Sequence, residues 1–156
     1  MRRAGRGILV IALPAITPTA MATTPTLPDP ETDPRVKAVF DDIRATRRTD
    51  FINNLWRALA FSPALLESTW AEVKALMATP SAIDPLTKEM IYIAVSVANA
   101  CSYCIHSHTA AARAKGMTDA QHAELLAIIA LAARTNHLAT GLQVPVDAAF
   151  DAAAGR

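Results

Sequence analysis

The chain has two cysteines in 156 residues, and they stand three apart, as Cys101-Ser-Tyr-Cys104. A disulfide that braces a secreted domain stabilises more the longer the loop it closes, and a C-x-x-C pair closes almost none. This spacing points instead to a redox couple or to part of a metal site. On a helix each residue turns by about 100°, so Cys101, Cys104 and His108 fall within about 60° of one another. Cys104 and His108 are an i, i+4 pair, near enough to meet directly or through a water. A free thiol has a pKa of about 8.5 and becomes a good nucleophile near neutrality once a neighbour takes its proton. An imidazole does this, and its new positive charge then holds the thiolate. The partial positive charge at a helix start adds to the effect, so Cys104 is expected to titrate below an ordinary thiol.

Glu89 is the only carboxylate between Asp84 and the cysteines, and the apolar stretch 90–97 follows it directly. There it could take a proton from His108, as the third member of a triad does for its histidine. The plainer reading is a solvated acid near a helix start. His106 lies about 140° round the helix from Cys101 and reads as a surface residue, while His122 and His137 read as surface or helix-end residues and not ligands. Tyr103 lies between the cysteines and reads as their cover. A c-type haem site needs histidine directly after the second cysteine, where Ile105 stands. A zinc site built on Cys101, Cys104 and His108, with Glu89 or His106 as fourth ligand, is the alternative; structural zinc more often draws on a second, distant Cys or His pair. The thiol reading itself requires no bound cofactor.

These residues need helices to position them, and the chain is punctuated for helices. Asp33-Pro34, Ser62-Pro63 and Asp84-Pro85 each pair a capping residue with proline at the first helical position. The first helix has Val36, Val39, Phe40 and Ile43 at helical spacing and Arg44, Arg47 and Arg48 at its end. Asn53-Asn54 opens a short second one through Trp56. Leu65, Leu66, Trp70, Val73 and Met77 mark the buried face of a third. The fourth runs from Asp84-Pro85 to about Ala98, with a break at Asn99-Ala100. The fifth begins around Cys101 and stops at Lys115-Gly116. Thr118 with Gln121 forms a capping box for a sixth, with Leu125, Ile128, Ile129 and Ala132. Pro145 opens a short terminal helix through Phe150. No segment alternates with period two, so the expected fold is all-α, a compact helical domain of about six helices over residues 33–156.

Composition agrees. Hydrophobic residues are 52% and charged ones 19%, which describes a globular chain, and its length suits one domain. Lys and Arg number 15 against 14 acids, with no basic face of the size nucleic acid requires. Thr23 to Glu31 is rich in Pro and Thr and reads as an extended arm, up to residue 32. Before it, Arg2, Arg3 and Arg6 precede the apolar run Gly7–Ile16, and Ala20-Met21-Ala22 has the form of a cleavage site. The run is shorter than the ~20 residues that span a bilayer. Residues 1–22 are therefore either a secretory signal or an upstream extension of a frame that starts at Met21.

Glu89, eleven intervening residues, Cys101-Ser-Tyr-Cys104, three more and His108 together resemble the alkylhydroperoxidase D family of the carboxymuconolactone decarboxylase superfamily. Asn53-Asn54-Leu55-Trp56-Arg57-Ala58 and Ser62-Pro63-Ala64-Leu65-Leu66 are similar to its small peroxidase-related members. The resemblance implies an all-helical homo-oligomer that reduces hydroperoxides. It makes Cys104 the peroxidatic thiol, Cys101 the resolving thiol, and His108 with Glu89 the proton relay. It also implies a lipoylated or other dithiol protein as reductant. Some members have histidine where Tyr103 stands, so no role passes to that position. Members without the cysteines act as decarboxylases on lactone acids. An acid–base enzyme using Glu89 and His108 is thus one alternative, and a zinc-stabilised, non-catalytic helical oligomer another. A disulfide reduced in every cycle suits a reducing cytoplasm; a genuine signal at 1–22 would mean export.

Overall fold

The computed structural model describes residues 23–24 and 27–150, so the signal-like stretch lies outside the described residues. Among these there are six α-helices and no strand: α1 Pro34–Arg47, α2 Asn54–Leu59, α3 Pro63–Val73, α4 Pro85–Ala98, α5 Ser102–Ala114 and α6 Asp119–Gly141. The all-α expectation holds. The described residues divide into two compact units, one up to Thr69 and one from Trp70.

In the first unit the Asp33 carboxylate caps α1 by accepting from the Arg35 N–H at 2.8 Å, and Pro34 takes the first helical position. Val36, Phe40 and Ile43 of α1 are fully buried, as is Leu66 of α3; Trp56 of α2 is 2% exposed. The segment expected to be an extended arm differs at its end, where Pro30–Thr32 form a 3₁₀ turn. Glu31 accounts for the difference. Arg44 grips both its carboxylate oxygens, at 2.6 and 2.9 Å, and pulls the chain back onto α1. Along α3, Leu66 and Trp70 are buried but Leu65 is 46% exposed, because i, i+4 residues share a face and Leu65 turns about 100° away. The third helix also stops at Val73, and Lys74–Ala78 follow as a π-helical turn.

The second unit is organised by α4 and α5, a helical hairpin. Asp84 caps α4 through the N–H groups of Leu86 and Thr87, both at 3.0 Å. At its other end the Cys101 N–H donates to the Ser96 carbonyl and the Ala100 N–H to the Val97 carbonyl. This paired return closes a helix when the residue after the cap is left-handed, and Ala100 has φ 53°. The same return ends α5, where Gly116 takes the left-handed position. Thr118 and Gln121 then form the expected capping box for α6. Ile93 of α4, Ala112 of α5, Met117 and Leu125 of α6 form the buried cluster, with Leu86, Met90, Ala94, Val97 and Ile129 packed around it. The terminal helix expected from Pro145 is a single 3₁₀ turn, Ala148–Phe150.

Beyond Leu125 most of α6 is exposed. Ile128, Leu131 and Leu138 are each more than half exposed, and Ile91 and Val95 of α4 are similar. We propose that apolar surface on this scale is covered by another subunit. Light scattering at micromolar concentration is expected to give an oligomer, and a monomer would contradict this. A second expectation concerns Ala100. A left-handed L-residue costs about 1–2 kcal/mol, partly offset by the lower chain entropy of alanine relative to glycine, about 0.5–1 kcal/mol. Ala100→Gly should therefore stabilise the fold by about 0.5–1 kcal/mol in thermal unfolding; a lower melting temperature would show that the turn is unstrained.

Candidate active site

Helical spacing places the reactive groups on facing sides of the α4–α5 hairpin. Glu89, Ile93 and Ser96 are the buried residues of α4, one stripe at i, i+4, i+7. On α5, His108, Ala112 and Lys115 repeat that spacing, with Cys104 one turn before His108 and Cys101 at the N-cap. Ala112 is fully buried midway between His108 and Lys115. Ala112 packs with Ile93 of α4 in the buried cluster.

Glu89 is 5% exposed. Its Oε2 lies 2.6 Å from Nδ1 of His108, and its Oε1 accepts from Nζ of Lys115 at 2.9 Å. Burial pushes the carboxyl pKa up, but the hydrogen bonds from His108 and Lys115 outweigh it, and Glu89 ends below its ordinary value of 4.5. An ionised carboxylate only accepts, so the proton in the 2.6 Å contact belongs to Nδ1 of His108. In the neutral ring this leaves Nε2 as the basic nitrogen. Tyr92, one turn from Glu89 on α4, stacks on the imidazole with ring centroids 3.7 Å apart and planes 18° from parallel. The ring is thus held at its edge by Glu89 and over its face by Tyr92.

Cys101 and Cys104 are free thiols, both partly buried. Here the structure corrects the expected titration. Burial raises the Cys104 thiol to about 11, and sharing a proton with Cys101 adds to the rise. Cys101 is lowered, first by the Cys104 thiol and then by the backbone N–H groups of Cys104 and Tyr103. The physical reason is position. Cys101 is the N-cap residue of α5, though its thiol makes no capping hydrogen bond, whereas Cys104 lies inside the helix and is more strongly desolvated. His108 is engaged with Glu89 through Nδ1, so Nε2 is the nitrogen left for a thiol.

The sequence reading found four of these six residues. It missed Lys115, taken only as a helix end, and Tyr92. Their helical spacings from His108 and Glu89 were visible signals, but not the register between α4 and α5 that makes them matter. His106 is exposed, as expected. The zinc alternative finds no support: among the described residues no three of His, Cys, Asp and Glu are gathered to hold a metal ion.

A model of the carboxymuconolactone decarboxylase family matches residues 63–147, more than half of the chain and the whole of this hairpin. The chain belongs to the carboxymuconolactone decarboxylase family. Within it the chain is an alkylhydroperoxidase D-like member. It is 68% identical to a solved structure, the alkylhydroperoxidase AhpD core from Rhodospirillum rubrum. That match has a TM-score of 0.80 and covers 83% of this chain and 97% of the other. No curated protein matches. No described helix is long and apolar enough to cross a membrane.

The order of thiol ionisation can be measured directly. Alkylation followed by peptide mapping across pH should label Cys101 at lower pH than Cys104, whose thiol sits near 11. A Cys104 that reacts first would mean His108 takes its proton in the resting protein.

Proposed function

We propose that this family member is a thiol-dependent hydroperoxide reductase that cycles a Cys101–Cys104 dithiol and disulfide. The observation that supports it best is the Glu89–His108 hydrogen bond at 2.6 Å, on the same helix face as a C-x-x-C pair at a helix start. Likeness to a protein described as an alkylhydroperoxidase core points the same way.

In this reading Nε2 of His108 draws the proton from Cys104, and Glu89 steadies the imidazolium. The Cys104 thiolate attacks one peroxide oxygen, the O–O bond breaks, and the alkoxide leaves with a proton as the alcohol. The resulting sulfenic acid condenses with the Cys101 thiol, releasing water and forming the disulfide. An external dithiol, on a lipoylated or similar carrier protein, then reduces the pair. A reducing compartment suits this last step. The lowered Cys101 favours a second reading with the thiol roles exchanged, Cys101 attacking and Cys104 resolving. The family's name favours a third, acid–base chemistry on a small carboxylic acid by Glu89 and His108 with the thiols idle.

One set of variants separates these. With one equivalent of peroxide, wild-type protein is expected to form the Cys101–Cys104 disulfide. Cys101→Ser should accumulate a trappable sulfenate on Cys104, then sulfinate, without recycling. Glu89→Gln and His108→Ala should slow turnover by roughly 10²–10⁴-fold, the scale of a positioned acid–base group. A sulfenate in Cys104→Ser but not in Cys101→Ser exchanges the thiol roles. Full activity on a carboxylic acid in both Cys→Ser variants, without peroxide turnover in wild type, would establish the acid–base reading.

A further inference from the structure

A buried carboxylate must be neutralised or give up its charge. Glu89 has two neighbours that could do this, His108 at 2.6 Å and Lys115 at 2.9 Å, one on each oxygen. The two differ in consequence. Were His108 alone to supply the positive charge, it would be an imidazolium with both nitrogens protonated, and Nε2 could accept nothing. A lysine ammonium supplies the charge permanently at neutral pH. With Lys115 paired to Oε1, the imidazole need only donate a neutral N–H to Oε2, and Nε2 keeps its lone pair.

The fold is arranged for this division. Lys115 lies seven residues after His108, two turns along the same face, and the two carboxylate oxygens of Glu89 are divided between them. Lys115 is also the C-cap residue of α5, where its charge faces the negative end of the helix. Its side chain is 36% exposed against 7% for that of Glu89, so the cation keeps contact with water while its partner does not. Tyr92 covers the ring face and carries no charge that could replace it.

We propose that Lys115 is a positioning residue that neutralises Glu89, so that His108 stays uncharged with its proton on Nδ1 and its free lone pair on Nε2. The kinetic consequence rests on the thiol-reductase reading; the effect on the imidazole does not. The test is therefore spectroscopic first. Imidazole nitrogen-15 shifts of His108 at neutral pH should show the Nδ1–H neutral form in wild type. In Lys115→Met they should move toward the doubly protonated form, and in Lys115→Arg they should return. Peroxide turnover should fall roughly 10–100-fold in Lys115→Met, the range for groups that orient a working histidine, and recover in Lys115→Arg.

Unchanged imidazole shifts in a folded Lys115→Met would overturn the proposal whatever the activity. Should that variant not fold, the wild-type spectrum decides: a doubly protonated ring, or one with its proton on Nε2, overturns it equally. Shifts that move as expected in a protein without peroxide turnover would uphold the role of Lys115 and remove the reductase reading instead.

Discussion

The site depends on one buried charge. Glu89 sits 5% exposed in the α4–α5 hairpin, and the arrangement around it answers the cost of placing a carboxylate there. Its two oxygens are divided between a cation and an imidazole, and that division decides which nitrogen of His108 is basic. Protonating Glu89 would release both partners together. Its pKa lies below the ordinary 4.5, so the stability it contributes is fully present above that value and is lost as pH falls through the lowered one.

The hairpin delivers the thiols by a turn as constrained as the site it serves. Closing α4 with a left-handed Ala100 lets Cys101 donate its N–H to Ser96 and begin α5 at once. One residue thus ends the helix that presents Glu89, and the next caps the helix that presents His108. The same geometry separates the two cysteines electrically. Cys101, at the helix start, is lowered chiefly by the Cys104 thiol, while burial raises Cys104 inside the helix. A spacing of three residues therefore makes two different thiols.

Outside the hairpin the second unit leaves much unburied. The cluster of Ile93, Ala112, Met117 and Leu125 takes up the inner faces of α4, α5 and the first turns of α6. Past Leu125, α6 continues for four more turns with its leucines exposed. A helix that long, bearing few charges, exceeds what one such unit can cover.

Most of the fold was legible along the chain because its signals are local. Caps at Asp33, Asp84 and Thr118, prolines at first helical positions, and Gly116 as a stop each act within one turn, so α1, α4, α5 and α6 begin where their residues say. The pairing of Glu89 with His108 was suggested by an isolated acid in an apolar run and by family spacing. Lys115 and Tyr92 were not, since their roles depend on how α4 lies against α5. The left-handed Ala100 was likewise hidden, because an alanine, unlike a glycine, gives no sign of a left-handed turn. The titration order of the thiols depends on packing in the same way. Sequence distance put Cys104 beside His108, but burial of Cys104 and its hydrogen bond with Cys101 favour charge on Cys101. Residue type and spacing determined which groups could react; desolvation and helix register, which exist only once the chain is packed, decided how each is charged.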